Sequence, residues 1–343
     1  MIVRCRTPLR LGLAGGGTDV SPYCDSFGGA VLNATIDLYA HCTIEPSTDG
    51  KCRFVAIDRN ETVEFEAAPV SPQNCALSLH AAAYNRIVSD FNRNAPLPVT
   101  VSTYCEAPAG SGLGSSSTLV VSMIQAYAEY LNLGLGEYDV ARLAYVVERQ
   151  DAGLHGGRQD QYAATFGGFN FMEFNANERI LVNPLRVKPW IISELESSLV
   201  LFYTGRSRES AAIIVEESKN VVERRPDALN AMHQSKEEAY RMKECLLRGR
   251  VRDLAEVMES AWAAKKRMAA SISNESIDRY HDVALKAGAY CGKVSGAGGG
   301  GFMMFLADPK KRLNVTGALL GNSNGIILGC HFTKTGSMAW RVE

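Results

Sequence analysis

The sequence predicts an α+β fold with two domains. The chain of 343 residues exceeds the usual size of one domain, so two domains or one large domain are expected. Segments with strand spacing alternate with segments with helical spacing up to Pro184, and helical spacing dominates after Pro189. This change of pattern places the domain boundary within residues 184–197. We therefore divide the chain into domains of residues 1–190 and 191–343.

Hydrophobic periodicity predicts the elements of the first domain. Runs of β-branched and aromatic residues indicate strands, and apolar residues every three or four positions indicate helices. Leu79, Ala83 and Ile87, for example, share one stripe of a predicted helix. The predicted strands are residues 3–13, 30–45, 52–57, 62–65, 99–104 and 168–174, and the predicted helices are residues 76–91, 116–131 and 139–150.

The second domain is predicted to begin with a strand at residues 199–203. A mostly helical stretch follows to about residue 287, with breaks near Pro226, Gly249 and Asn274, because proline and glycine interrupt helices. The remaining predicted elements are short strands at residues 293–295, 302–306 and 326–332 and a helix at residues 309–320.

Composition argues against several classes of protein. The chain carries 36 Lys and Arg against 37 Asp and Glu, so it lacks the basic excess typical of nucleic-acid binding. No apolar run approaches the roughly 18 residues that would span a membrane. The nine cysteines contain no CxxC pair and the six histidines no metal-ligand pair, which predicts reduced thiols. The first residues lack the layout of a signal peptide, so a cytoplasmic protein is expected.

Glycine clusters at residues 12–17, 110–114 and 296–301 predict three loops that converge on one ligand, since glycine lets backbone approach a ligand closely. The second cluster is followed by the serines of residues 115–117 and stands directly before a predicted helix. Free N–H groups and a partial positive charge at a helix start favour phosphate. The alternative is an ordinary serine-capped helix after a flexible loop.

Three segments resemble the motifs of the GHMP kinases and occur in the order of that superfamily. Residues 108–117, Pro-Ala-Gly-Ser-Gly-Leu-Gly-Ser-Ser-Ser, resemble its phosphate-binding motif. Residues 293–302, Lys-Val-Ser-Gly-Ala-Gly-Gly-Gly-Gly-Phe, resemble its third motif. Residues 8–19, Pro-Leu-Arg-Leu-Gly-Leu-Ala-Gly-Gly-Gly-Thr-Asp, resemble its first motif in the form found in sugar kinases. The resemblance therefore covers most of the chain.

The resemblance implies a GHMP kinase fold. Its N-terminal mixed α/β domain would carry the first two motifs, and a C-terminal ferredoxin-like domain would carry the third. ATP is expected to bind across the second motif, at Pro108, Gly110, Ser111, Gly112, Leu113, Gly114, Ser115, Ser116 and Ser117. The sugar-binding residues implied by the first and third motifs are Gly17, Thr18, Asp19, Gly298 and Gly299.

Asp160 and Arg10 are the catalytic residues that the resemblance implies. Sugar kinases of the superfamily have an Asp in a similar GxxDQ context, where it faces the acceptor hydroxyl and can orient it and accept its proton. Arg10 could neutralise charge on the transferred phosphoryl group. The alternatives are a helix-capping role for Asp160, an ion pair of Arg10 with Asp19 or Asp160, and an ordinary turn position for Asp19.

Ser116 and Glu148 form the predicted Mg²⁺ site. Glu148 lies twelve positions before Asp160, a spacing similar to that between the metal-binding Glu and the catalytic Asp of galactokinases. Mg²⁺ prefers one or two carboxylates together with hydroxyls, waters and phosphates. The alternative is a surface ion pair of Glu148 on its own helix. For Lys293, at the start of the third motif, contact with substrate and a structural role are both open.

The first motif is similar to that of kinases acting on D-glycero-D-manno-heptose 7-phosphate and, less closely, of L-fucokinases. The expected reaction transfers phosphate from ATP to the anomeric hydroxyl, which gives heptose 1,7-bisphosphate for nucleotide-activated heptose and surface polysaccharide. Arg206 or Arg208, before a predicted helix, would bind the 7-phosphate; a solvated basic turn balanced by Glu209 is the alternative.

Rival functions are a kinase for L-fucose or another hexose and a non-catalytic sensor of nucleotide or sugar. The expected partners are ATP and a sugar phosphate, and binding to nucleic acid or a membrane is not expected. The oligomeric state is left open.

Overall fold

The computed structural model describes residues 1–206 and 210–342 of the protein. The strands in chain order are β1 (Ile2–Ala14), β2 (Gly29–Pro46), β3 (Lys51–Ala56), β4 (Glu61–Glu66), β5 (Val99–Cys105), β6 (Phe169–Phe174), β7 (Ile180–Pro184), β8 (Leu199–Tyr203), β9 (Ala289–Val294), β10 (Phe302–Ala307), β11 (Ile326–Leu328) and β12 (Met338–Val342). The α-helices are α1 (Tyr23–Phe27), α2 (Ser78–Phe91), α3 (Ser115–Tyr130), α4 (Glu137–Val146), α5 (Gln159–Phe166), α6 (Pro189–Ser198), α7 (Ser210–Val222), α8 (Pro226–Arg248), α9 (Val251–Lys265), α10 (Glu275–Lys286) and α11 (Arg312–Gly321).

The larger sheet has the order β12-β1-β2-β5-β3-β4, with β6 and β7 attached beside β2. Its central strands are buried on both faces. On one face, side chains such as Phe54 pack against α2 and α3, including Tyr84 and Ile124. On the other face, Leu9 of β1 lies in a hydrophobic cluster with Met242 of α8. Burial on both sides explains why β1 and β2 are long and rich in apolar residues.

The smaller sheet has the order β11-β8-β10-β9, and every pair of neighbours in it is antiparallel. Along the chain the helices α7 to α10 connect β8 to β9, and α11 connects β10 to β11. This strand–helix–strand–strand–helix–strand order is the ferredoxin-like arrangement, so the predicted fold of the C-terminal domain is confirmed. The predicted helix breaks near Pro226, Gly249 and Asn274 also match helix ends in the structure.

The two sheets share one hydrophobic core. The cluster that contains Leu9 and Leu32 of the larger sheet also contains Leu201 of β8 and Met304 of β10. Loops at the ends of both sheets therefore meet at a fixed junction, which is where the candidate site lies. Within the described ranges, no helix is both long enough and apolar enough to cross a membrane.

The end of the chain returns to the first sheet. β12 pairs antiparallel with β1, from Ile2 opposite Val342 to Arg6 opposite Met338. Pattern analysis did not predict this strand, which is short and half exposed. The division at residue 190 stays a prediction, and the structure adds that the last strand of the second segment lies in the sheet of the first.

Gly336 tests how tightly this returning segment is held. A Cβ added to Gly336 would overlap the carbonyl of Thr165 in α5, whereas a Cβ on Gly329 would meet no atom within 4 Å. We expect Gly336→Ala to lower the free energy of unfolding by about 1–3 kcal/mol, the usual cost of overpacking. The matched control Gly329→Ala should stay within about 0.5 kcal/mol of the original protein in urea melts. Equal stability of the two variants would show that the segment is not tightly packed.

Candidate active site

The second glycine cluster ends at the start of α3, as the sequence predicts. Gly114 occupies the N-cap position with a φ of 77°, and no side chain caps the helix there. The first intrahelical bond runs from the N–H of Thr118 to the carbonyl of Gly114, at 2.9 Å. The amides of residues 115–117 therefore stand at an uncapped helix start. Because a glycine and not a serine is the N-cap, the arrangement favours anion binding over an ordinary serine cap.

A cleft of about 620 Å³ opens in front of this helix start. Six of the residues predicted to bind nucleotide line it: Gly110, Gly112, Gly114, Ser115, Ser116 and Ser117. Pro108 lies behind the loop, where its carbonyl accepts from the N–H of Ser111 at 3.2 Å. Ser111 and Leu113 are fully buried and support the loop from within.

Arg10 and Asp160 form a bidentate ion pair beside the loop. Nε and Nη2 of Arg10 donate to the two carboxylate oxygens of Asp160, at 2.7 and 2.8 Å. Nη1 of Arg10 donates to the carbonyl of Gly112 at 2.7 Å. A Cβ on Gly114 would lie 3.3 Å from Oδ2 of Asp160. The predicted catalytic pair is thus brought directly against the predicted phosphate loop, and of the alternatives for Arg10 the ion pair with Asp160 is the one formed.

Asp19 lies behind this pair, where its carboxylate holds the start of α5. Oδ2 accepts from the N–H groups of Arg158 and Gln159 at 2.9 and 3.0 Å. Oδ1 accepts from the side-chain amide of Gln159 at 3.0 Å and the N–H of Gly17 at 3.2 Å. A Cβ on Gly157 would overlap this carboxylate. Contact of Asp19 with a sugar stays a prediction; the structure gives it the role of a remote helix cap.

The predicted metal ligands are adjacent. Oγ of Ser116 donates to Oε1 of the buried Glu148 at 2.7 Å, and Gln161 donates to Oε2 at 2.7 Å. Nη1 of Arg149 lies 3.2 Å from Oε1. One carboxylate and one hydroxyl beside a phosphate loop suit Mg²⁺, which takes its other ligands from phosphates and water. Among the described residues, no group of three or more His, Cys, Asp or Glu side chains is placed to bind a metal by itself. Phosphates and water would therefore have to supply the other ligands.

The third glycine cluster packs backbone to backbone on the second. Phe302 donates from its N–H to the carbonyl of Ser111 at 2.9 Å, and Oγ of Ser295 donates to the carbonyl of Gly112 at 3.0 Å. A Cβ on Gly301 would overlap the carbonyl of Ser111. Glycine is therefore required here mainly so that the two loops can touch.

Lys293 ties the third motif to β1. Its Nζ donates to the carbonyls of Gly12 and Leu13 at 2.7 and 3.1 Å. Burial, with the nearby charges of Lys265 and Arg10, lowers the pKa of Lys293 well below its usual range. Of the two roles left open for Lys293, the structure gives it the structural one.

Of the remaining residues predicted to bind substrate, only some line a cavity. Gly17 lines a small cavity next to the cleft, together with Asp19 and Asp160. The hydroxyl of Thr18 is fully buried and donates to the carbonyl of Gly15 at 2.7 Å, a local structural contact. Gly298 packs closely on the backbone of Ile272, where an added Cβ would lie 2.6 Å from the carbonyl oxygen, and it does not line the cleft.

Arg206 and Gly299 line a second cavity of about 470 Å³ at the start of α10. In the third motif, Gly296 and Ala297 line the main cleft instead. Arg208 and its neighbour Glu209 lie outside the described residues.

Sequence analysis missed two buried charged residues in the small cavity, Glu217 of α7 and Lys265 of α9. Glu217 is 2% exposed, and its Oε1 has no hydrogen-bond partner among the described residues. Burial raises the pKa of Glu217 to about 7, with Lys265 opposing the shift and Asp19 adding to it. Burial also lowers the pKa of Lys265, whose Nζ donates to the carbonyl of Gly296 at 2.6 Å. Both residues lie in predicted helices without a motif, so local pattern gave no signal.

The comparisons with known proteins agree with this fold. Residues 78–168 match the model of the GHMP kinases N terminal domain, and residues 242–321 match that of the GHMP kinases C terminal. A D-glycero-alpha-D-manno-heptose 7-phosphate kinase from Campylobacter jejuni is 49% identical over 340 residues, which is 99% of each chain.

The fold and these matches together define a kinase. The chain belongs to the GHMP kinase family, and ATP is accordingly its phosphoryl donor. A crystal structure of a D-glycero-D-manno-heptose 1-phosphate kinase from Bacteroides thetaiotaomicron superposes with a TM-score of 0.84 at 43% identity, covering 99% of both chains. The L-fucokinase/L-fucose-1-P guanylyltransferase of Bacteroides fragilis is 26% identical, and the match covers 94% of this chain but 36% of that protein.

Glu217 should reduce the stability of the protein as the pH rises. Its pKa is raised from 4.5 to about 7 in the folded state, so the stability linked to the protonated form is complete below pH 4.5 and lost as the pH passes 7. The charged groups that act on it are Lys265, Asp19 and Glu216. We expect Glu217→Gln to raise the free energy of unfolding at pH 8, by up to about 3 kcal/mol, and by much less at pH 5.

Urea melts at several pH values measure this effect. The control is Glu238→Gln, because Glu238 is equally buried but paired with Arg241 and Ser260. This control should be destabilising at pH 8. A Glu217→Gln protein that is destabilised to the same extent at every pH would contradict the prediction.

Proposed function

We propose that the chain transfers the γ-phosphoryl group of ATP to the anomeric hydroxyl of D-glycero-D-manno-heptose 7-phosphate, giving the 1,7-bisphosphate. The observation that carries the proposal is the position of Asp160. This carboxylate lies against Gly114 at the helix start and lines both the large cleft and the small cavity beside it. A donor phosphate in the cleft and an acceptor hydroxyl in the cavity would meet at this residue.

Asp160 orients the acceptor hydroxyl and accepts its proton. Phosphoryl transfer depends mostly on positioning and on charge neutralisation, so a fixed carboxylate suits the reaction. The bidentate contact with Arg10 fixes the carboxylate in one orientation. The same guanidinium stands between Asp160 and the carbonyl of Gly112, where its charge favours the developing negative charge of the transferred group.

The amides of residues 115–117 bind the phosphates of ATP at the start of α3. Ser116 and Glu148 would hold Mg²⁺, which neutralises phosphate charge when it is bound. Arg149 lies beside Glu148 and would share this carboxylate with Mg²⁺. The sensor alternative has less support, because a protein that only binds ligands does not need the Arg10–Asp160 pair against the phosphate loop.

The choice of heptose rests on the relatives. The Campylobacter jejuni kinase, 49% identical along the full chain, is named for heptose 7-phosphate. The Bacteroides thetaiotaomicron structure is named for a heptose 1-phosphate kinase, so the position of the phosphate needs a direct test. An L-fucose kinase is less well supported, at 26% identity. ADP release measured with heptose 7-phosphate, heptose 1-phosphate, mannose and L-fucose side by side tests the proposal, and turnover of L-fucose alone would contradict it.

Replacing Asp160 by Asn should remove most of the turnover but not the binding of nucleotide. The amide keeps the size of the side chain and cannot accept the proton of the hydroxyl, so we expect kcat to fall by about 10²- to 10⁴-fold. A coupled ADP assay measures turnover, and titration with a non-hydrolysable ATP analogue measures binding. Asp253→Asn, at an exposed carboxylate of α9, is the matched control. Unchanged kcat in the Asp160 variant would remove the proposed role.

Arg206 is the described candidate for binding the 7-phosphate. It lines the second cavity with Thr204 and Gly299, near the start of α10. We expect Arg206→Ala to raise KM for heptose 7-phosphate by about 10- to 100-fold, the usual value of hydrogen bonds to a charged group. KM for the unphosphorylated heptose should not change, and Arg250→Ala, at an exposed arginine elsewhere, should change neither. Equal effects on both sugars would exclude Arg206.

A further inference from the structure

The small cavity next to the cleft holds more charge than the transfer reaction needs. Asp160 and Arg10 form one end of its lining, and Glu217 and Lys265 contribute side chains from α7 and α9. Phosphoryl transfer uses the first pair. The second pair has no part in holding ATP, because neither residue lines the large cleft.

Glu217 is a buried hydrogen-bond acceptor that is available to a ligand. Its side chain is 2% exposed, and Oε1 has no hydrogen-bond partner among the described residues. A Cβ on Gly17 would lie 3.5 Å from both carboxylate oxygens, so the carboxylate faces the glycine loop of the first motif. A buried carboxylate oxygen without a hydrogen bond is costly. A ligand that donates a hydrogen bond would remove this cost.

Lys265 offers the complementary group. Its side chain is 5% exposed, and its Nζ donates to the carbonyl of Gly296, which leaves further N–H donors of the ammonium group for a ligand. The charges of Glu217 and Asp19 both favour its protonated form. An acceptor from Glu217 and a donor from Lys265 in one cavity match a polyol, in which each hydroxyl both donates and accepts.

We infer that Glu217 and Lys265 select the acceptor by binding hydroxyl groups of the sugar other than the one that is phosphorylated. This inference rests on the proposed function and assigns the residues that recognise the sugar. Glu217 accepts a hydrogen bond from one hydroxyl, and Lys265 donates to a sugar oxygen. Sugars that lack the hydroxyl at that position leave a buried carboxylate unpaired and are rejected, since sites built to bind a hydroxyl discriminate strongly against its absence.

The test combines Glu217→Met, which removes the acceptor oxygens at similar side-chain size, with acceptor analogues that each lack one hydroxyl. The substrates are heptose 7-phosphate and its 2-deoxy, 3-deoxy and 4-deoxy forms. We expect kcat/KM for the full sugar to fall by about 10- to 100-fold in the variant, as for the loss of a hydrogen bond to a charged group. KM for ATP should stay the same. For one of the deoxy sugars, kcat/KM of the original enzyme should be lower than for the full sugar by a similar factor. The variant should show nearly the same kcat/KM on that deoxy sugar as on the full sugar.

The deoxy series separates direct recognition from a structural effect. A variant that is merely distorted loses activity by the same factor on every sugar, and this result would overturn the inference. Glu238→Gln, a buried carboxylate of α8 that already has partners, controls for the loss of a buried charge and should keep the selectivity.

Lys265→Met provides a second variant of similar size. It should also raise KM for the sugar and leave KM for ATP unchanged, and it carries the test if the Glu217 variant fails to fold. If the original enzyme is active and a folded variant keeps the same selectivity between the full and deoxy sugars, only the inference is contradicted. Absence of turnover in the original enzyme with any of the sugars defeats the proposed function itself.

Discussion

One guanidinium group holds the reacting part of the molecule together. Arg10 of β1 donates to both oxygens of Asp160 on α5 and to the carbonyl of Gly112 in the phosphate loop. Its side chain is 4% exposed, and a buried charge without partners would be strongly destabilising. The strand, the loop and the helix must therefore keep one relative position. This constraint sets Asp160 against Gly114, the point at which the two cavities meet.

Close contact between glycine loops extends this constraint to the second sheet. The loop at residues 110–114 hydrogen bonds through Ser111 and Gly112 with Ser295 and Phe302, at the ends of β9 and β10. Lys293 adds hydrogen bonds from β9 to the backbone of β1. Because the two sheets also share a hydrophobic core, the elements behind the cleft are packed against one another.

The sequence predicted those parts that depend on local pattern. The helix start after the second glycine cluster follows from local pattern. The pairing of Ser116 with Glu148 and the ferredoxin-like second sheet were instead implied by the resemblance to the GHMP kinases. The helix α5 was not predicted, because its eight residues carry no wide apolar stripe and its first amides bond with the distant Asp19. β12 was missed for a similar reason, since it is stabilised by pairing with the other end of the chain.

The same difference between local and distant contacts separates the two halves of the site. The proposed donor half consists of consecutive residues at the uncapped start of α3, where backbone amides favour phosphate. The proposed acceptor half takes Glu217 and Lys265 from two helices of the second domain that lie outside the three motifs. Burial raises the pKa of Glu217 to about 7, so its charged form reduces stability above that pH unless a ligand supplies a hydrogen bond. Under the proposed function, substrate choice is therefore expected to depend on α7 and α9, and phosphoryl transfer on the motifs together with Asp160 of α5.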